Sequence, residues 1–267
     1  MSDPKPHEAW ANGAAYEGYV GRWSRHVARV FFDWLAVPSG RRWLDIGCGT
    51  GALSQSILAI TSPSAVKGID RSDGFIAFAR QNVVDPRASF EVGDAQNIPV
   101  ESGTYDAAVS GLVLNFVPSP LRMVTEMARA VRQNGIVALY VWDYADKMEF
   151  MRYFWDAAAA LNPSADVLDE GVRFPICKPE PLAALFREVG LKNIETQAID
   201  IPTNFRDFDD YWSPFLGGQG SAPGYVMSLN EADRAALRER MRAVLPVQPD
   251  NSIHLIARAW AVRGVRA

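Results

Sequence analysis

The 267-residue chain has only two cysteines, Cys48 and Cys177, and three histidines, His7, His26 and His254. Two distant thiols make no disulfide framework and no metal-ligand spacing. Scattered histidines leave a His-based metal centre without ligands, so no metal is expected. No apolar run reaches the length of a membrane span, and "MSDPKPHEAW" has no apolar signal core. A cytoplasmic protein without a membrane partner is expected. Basic excess is missing too: 27 Lys and Arg face 31 Asp and Glu, a formal net charge of -4. That opposes a phosphate-binding surface, so nucleic acid is not the expected partner.

What is present is a core-forming composition, 48% hydrophobic and 22% charged. Short apolar runs alternate with helical patterns. "YEGYVGRWSRHVARVFFDWL" places Val27, Val30, Phe31 and Trp34 at helical spacing, and Pro38-Ser39-Gly40 stops it. Strands are expected at 42–46, 64–70, 88–94, 105–110 and 136–144. Helices are expected at 51–60, 72–83 with Ser72 or Asp73 as cap, and 119–135. In the last of these Ser119 is the N-cap, Pro120 lies in the first turn and Gly135 is past the end. Strands apolar throughout and alternating with helices imply a parallel sheet covered on both faces. Beyond Tyr144 the pattern predicts helices at 147–161 and 180–190 and strands at 193–202 and 252–264. The long connection 203–251 reads as a lid or as an excursion along the sheet edge, with Gly217-Gly218-Gln219-Gly220 as a flexible point.

"RRWLDIGCGTGALS" raises the functional question. A strand runs into Gly47, Gly49 and Gly51, with Asp45 just before them. Bare strand ends let a ligand approach the backbone, and a following helix N-terminus favours a negative group. Asp70 ends the second strand, where a carboxylate suits a ribose diol. Asp94 ends the third, where one suits the amino edge of a purine. Together they predict a nucleoside-type cofactor site. The glycines run G-x-G-x-G rather than G-x-G-x-x-G, and an acid at Asp45 would repel a pyrophosphate. An NAD(P)-dependent oxidoreductase is therefore the weaker alternative.

In order and spacing, "LDIGCGTG", "GIDRSD", "VGDAQNIP", "YDAAVSGLVLNFV" and "RAVRQNGIVAL" resemble the successive motifs of class I S-adenosylmethionine-dependent methyltransferases. The likeness is to the group that includes ubiquinone/menaquinone biosynthesis and many small-molecule enzymes. The resemblance implies an α/β fold, a Rossmann-like doubly wound sheet, mostly parallel with an antiparallel last strand. One domain over 1–267 is expected, with 13–37 as an N-terminal helix covering the cofactor and 203–251 as a lid. The implied cofactor is S-adenosylmethionine and the implied partner a small-molecule methyl acceptor, with a non-catalytic cofactor-binding protein as the alternative.

The same resemblance assigns roles. Asp45 takes the methionine amino group, and the backbone of Gly47, Cys48 and Gly49 lines methionine and ribose. Asp70 takes the ribose hydroxyls and Arg71 lies along the adenine. Asp94 takes the adenine amino group, with the Ala95 backbone nearby. Ser110 faces the methionine end, and Arg22 pairs with the methionine carboxylate or else stays on the surface. No catalytic base is assigned: His26, His254, Asp143 and Tyr144 each have an ordinary structural reading. Trp142, Tyr211, Trp212 and Phe215 read as core or lid packing, or as walls of a hydrophobic pocket.

Overall fold

The computed structural model describes residues 22–217 and 220–267, the side chain of Arg22 excepted. Its strands are β1 (Arg42–Ile46), β2 (Ala65–Asp70), β3 (Ala88–Val92), β4 (Tyr105–Gly111), β5 (Val131–Trp142), β6 (Lys192–Phe205) and β7 (Ile253–Val265). They form one sheet in the order β3-β2-β1-β4-β5-β7-β6. The pairs β3-β2, β2-β1, β1-β4 and β4-β5 are parallel, and β7 runs antiparallel to β5. The expected mostly parallel sheet is therefore present.

Helix α1 (Arg22–Leu35) precedes the sheet, α2 (Ala52–Ile60) joins β1 to β2, α3 (Asp73–Asn82) joins β2 to β3, and α4 (Pro120–Ala130) precedes β5. The strand order moves one way from β1 to β3 and the other way from β4 to β5. Right-handed crossovers then put α2 and α3 on one face and α4 on the other. The reversal lies between β1 and β4, where such sheets open a crevice at their carboxyl ends.

Contacts divide the described chain into two compact units. The first is Trp23–Trp142, Ile176–Ile199 and Ala259–Ala267. Its centre is apolar: Trp43, Leu44 and Ile46 of β1, Ala107 to Val109 of β4 and Val137 to Trp142 of β5 are buried. Amphipathic α4 adds Met123, Val124, Met127 and Ala130, spaced to lie on one helical face. Helix α7 (Pro179–Glu188), with Gly190 at φ +88° past its end, packs on α4. Phe31 of α1 meets Tyr140 edge-on, centroids 4.9 Å apart. Arg263, opposite Ala138, donates to the Trp34 carbonyl at 3.1 Å. Helix α1 thus runs antiparallel to β5, its first turn toward the carboxyl ends of the strands.

The second unit is Asp143–Pro175 with Asp200–Arg258. It contains α5 (Glu149–Leu161), the short α6 (Glu170–Arg173), α8 (Phe208–Trp212), α9 (Ser221–Ser228) and α10 (Glu231–Val244). Its core is aromatic. Phe154 stacks on Phe215 at 4.5 Å, Phe150 on Phe205 at 5.5 Å, and the Tyr211 hydroxyl donates to the Phe150 carbonyl at 2.8 Å. Tyr211, Trp212 and Phe215 are buried in this core. Trp142, in the first unit, is buried as well. The expected excursion of 203–251 is thus helical, and 143–175 folds with it. Gly218 and Gln219 of the expected flexible point lie outside the described residues.

One expected boundary is displaced. The helix opening at Ser119, whose hydroxyl accepts from Arg122 N–H, ends at Ala130 rather than near Gly135. Val131 already pairs with Tyr105, and Arg266 donates to the carbonyls of Arg129 and Val131. Gly135 is no helix cap. A Cβ there would meet the Arg132 carbonyl oxygen at 2.8 Å and the Asp106 carbonyl oxygen at 3.0 Å, so its bare Cα serves a close approach of backbones.

Candidate active site at the carboxyl ends of β1, β2 and β4

Strand β1 delivers Asp45 fully buried, one residue before its end. Its Oδ2 accepts from Ser54 Oγ of α2 at 2.6 Å. Its Oδ1 is buried with no hydrogen-bond partner among the described residues. Burial lifts the Asp45 pKa to about 7, opposed by the Ser54 hydrogen bond and reinforced by the charge of Asp70. A buried carboxylate with an open oxygen is costly unless a donor or a cation meets it.

The turn after β1 is folded by left-handed backbone. Gly47 has φ +70° and its N–H donates to the Ile69 carbonyl at 2.7 Å. A Cβ on Gly47 would lie 2.5 Å from Val113 Cγ2, so the segment after β4 rests directly on the turn. Gly49, at φ +52°, has open space where its Cβ would be. Cys48 sends its side chain the other way, among Ile76, Ala79, Val83 and Phe90. Burial drives the thiol pKa well above its usual value, which removes any nucleophilic role and leaves the backbone to the crevice. Helix α2 begins at Gly51 without a side-chain cap, whereas α3 is capped by Ser72. Its first amides therefore keep no competing side-chain acceptor.

Asp70 ties β2 to this turn. Oδ2 accepts from Gly49 N–H at 3.0 Å and Oδ1 from Ser72 N–H at 2.9 Å. Burial raises its pKa while these two backbone donors lower it. Each oxygen retains a lone pair for a ligand hydroxyl. Arg71, beside it, is exposed.

Asp94 lies two residues past Val92, the register partner of Asp70, and Gly93 N–H donates to the Asp70 carbonyl at 3.0 Å. Asp94 is exposed and Ala95 half-buried. Asp94 Oδ1 accepts from Gln96 N–H at 2.8 Å, and Gln96 Oε1 accepts from Ser119 N–H at 3.0 Å. This loop is fixed from α4. Glu126 accepts from Ile98 N–H at 2.9 Å and is paired with Arg129, which holds its pKa down.

Ser110, near the end of β4, is buried, and its Oγ donates to the Ile46 carbonyl at 2.7 Å. Its proton is engaged by β1. The Arg22 side chain lies outside the described residues. His26 and His254 are exposed. The structure therefore brings Asp45, Gly47, Cys48, Gly49 and Asp70 into one bonded cluster and sets Ser110 and Asp94 at its flanks. Ser54, Gln96 and Val113 complete it. Sequence spacing gives none of them a role, because what places them is a helix face or a loop crossing.

The chemistry of this set fits one group well. An open buried carboxylate suits an ammonium, a partly used carboxylate at the next strand end suits a diol, and a bare turn lets both come near the backbone. Residues 44–139 match the family described as "Methyltransferase domain". The chain is similar to the demethylmenaquinone methyltransferase of Bacillus licheniformis, 30% identical over 176 residues, covering 60% of this chain and 75% of that protein. It is also similar to the ubiquinone biosynthesis O-methyltransferase of Burkholderia pseudomallei, 29% identical over 180 residues, 65% of this chain and 74% of that one. Among solved structures it shares its fold with Haemonchus contortus phosphoethanolamine N-methyltransferase 2, determined with S-adenosyl-L-methionine. That likeness has a TM-score of 0.60 at 16% identity, over 95% of this chain and 56% of that one. The chain belongs to the class I S-adenosylmethionine-dependent methyltransferases.

Proposed function

We propose that this enzyme methylates a small-molecule acceptor in the cytoplasm, with the cofactor held across the carboxyl ends of β1 to β4. The observation that carries the reading is Asp45: buried, bonded on one oxygen by Ser54 and open on the other. A dinucleotide phosphate would be repelled there, whereas the cofactor's ammonium would be held. Asp70 then takes the ribose hydroxyls with its remaining lone pairs. The exposed Arg71 lies along the adenine, and Asp94 with the Ala95 backbone meets the adenine amino edge. Gly47, Cys48 and Gly49 contribute main chain only. Ser110 contributes position rather than its hydroxyl, since that proton is engaged by Ile46.

The cofactor, when bound, supplies a methyl group on a positively charged sulfur. The chain's part is to hold the nucleophile in line with that methyl and keep the crevice apolar, because charge is lost as transfer proceeds. No side chain is assigned as a base. The acidic balance supports a small neutral acceptor over a polyanion. Among the described residues no helix is long and apolar enough to cross a membrane.

Isotope-labelled cofactor offered with pooled small metabolites and, separately, with total transfer RNA tests this. Label in a small product is expected. Label in RNA alone would contradict the acceptor class, and absence of cofactor binding would contradict the site.

A further inference from the structure

Asn115 lies in the single 3-10 turn Leu114–Phe116, directly after β4. Both polar atoms of its side-chain amide are buried and neither has a hydrogen-bond partner among the described residues. The ordinary reasons for an asparagine in such a turn do not apply. The turn is closed by backbone, Phe116 N–H to the Val113 carbonyl at 2.9 Å and Val117 N–H to the Leu114 carbonyl at 3.2 Å. The following helix is capped by Ser119. The left-handed residue of the segment is Leu112, at φ +64°, and not Asn115. An amide so placed destabilises the protein unless something else meets it, and a leucine of similar size would not.

Its location says what that something is. The turn stands on the carboxyl side of β4, at the reversal between β1 and β4. Val113, two residues away, lies against the bare Cα of Gly47. The turn is pinned there by Leu112 N–H to the Tyr140 carbonyl at 2.8 Å and by buried Leu114. Asp45 and Asp70, on β1 and β2, already account for the polar ends assigned to the cofactor, and neither they nor the glycine turn bonds to Asn115. The amide thus sits beside the cofactor turn without belonging to its hydrogen-bonded cluster.

We propose that Asn115 is the specificity-determining contact for the methyl acceptor, and that the acceptor presents a hydroxyl next to a second hydroxyl or a carbonyl. This rests on the small-molecule reading above. A primary amide offers one accepting and one donating edge side by side. One isolated hydroxyl cannot meet both at good angles, whereas a vicinal pair can. Oδ1 accepts from the hydroxyl that is to be methylated and Nδ2 donates to its neighbour. As the oxygen lone pair forms the new bond to the methyl carbon, the carbon–sulfur bond breaks with its electrons passing to sulfur. The hydroxyl proton leaves to water. Asparagine takes no proton and acts by positioning and selection.

The test uses the whole enzyme with labelled cofactor and two isomeric probes, catechol with adjacent hydroxyls and hydroquinone with opposite ones. Wild type is expected to label catechol at least ~10-fold faster, since a site built for paired hydrogen bonds strongly rejects a ligand that leaves them unmet. Asn115→Leu is expected to erase that preference while keeping cofactor affinity within about threefold and melting no lower than wild type, because an unmet buried amide has been removed. Equal labelling of the isomers overturns the proposal, as does labelling of neither by a protein that binds the cofactor. That last result leaves the methyltransferase site standing. A variant that keeps the preference, or one that loses the cofactor ~10-fold or more, also overturns it. If Asn115→Leu does not fold, Asn115→Met is read the same way. Failure of both to fold makes the amide structural and overturns the proposal.

Discussion

Ser54 Oγ donates to Asp45 Oδ2 at 2.6 Å, a buried bond between α2 and β1 that leaves the second carboxylate oxygen without a partner among the described residues. The strand is central and apolar, so it fixes the acid. The serine selects which oxygen is used, and the glycine turn that follows leaves the other to a ligand. The acid that looks out of place in an apolar strand is thereby the group on which the proposed cofactor site rests.

Stability and cofactor affinity should depend on pH in opposite senses through Asp45. Its folded pKa, about 7, lies above the ordinary 3.8. The folded state thus holds a proton that the unfolded chain releases. This group's contribution is greatest below pH 4 and declines as pH rises to about 7, by up to ~1.4 kcal/mol per unit. Asp45→Asn should flatten the slope in denaturant titrations between pH 5 and 7.5 and raise the melting temperature at pH 8. Ser54→Ala should carry the loss on to higher pH, since the carboxylate then has one partner fewer and its pKa rises further. An ammonium ligand needs the charged form, so its affinity should fall below pH 7. Calorimetry in two buffers of different ionisation enthalpy should detect proton release on binding.

Gly47→Ala should destabilise the fold for two separable reasons. A left-handed backbone with a Cβ costs about 1–2 kcal/mol, and the new carbon would overlap Val113 Cγ2 at 2.5 Å. The double variant Gly47→Ala/Val113→Ala should recover the steric part alone. A double-mutant cycle by chemical denaturation measures the coupling, and additivity of the two changes would show that Val113 does not lie where it is described.

In the second unit Arg152 grips Asp169 with two hydrogen bonds, 3.0 and 2.6 Å, and donates to the Tyr144 carbonyl at 2.9 Å. Asp169 also caps α6 by accepting from Gly171 N–H at 2.7 Å. Both side chains are largely buried, so Asp169→Ala should cost about 3–5 kcal/mol by stranding the guanidinium. Thermal melting, followed by near-ultraviolet dichroism of the aromatic core, checks this.

The order of strands and the glycine turn were legible because a buried parallel strand is a short apolar run, and its end is marked by glycine or acid. Asp45, Asp70 and Asp94 could be picked out on that basis. The end of α4 could not. "AVRQNG" keeps helical spacing, and what draws Val131 into β5 is Arg266, 135 residues away. Ser54 was equally hidden, one of two serines on a helix whose inward face only the sheet defines. Asn115 stands beyond the expected end of the fourth strand at 110, and its unmet amide becomes visible only once its neighbours' hydrogen bonds are known. The folding of 143–175 with 200–258 rests on contacts such as Phe154 on Phe215 and Tyr211 to Phe150, which no local pattern announces.

Titration of S-adenosylmethionine into wild type, Asp45→Asn and Asp70→Ala at pH 7 and at pH 8 tests the site most directly. Both variants are expected to remain folded and to lose affinity at least ~10-fold, Asp45→Asn also losing the proton release seen near pH 7. Wild-type affinity in Asp45→Asn, with folding intact, would contradict the assignment of that open oxygen to the cofactor's ammonium.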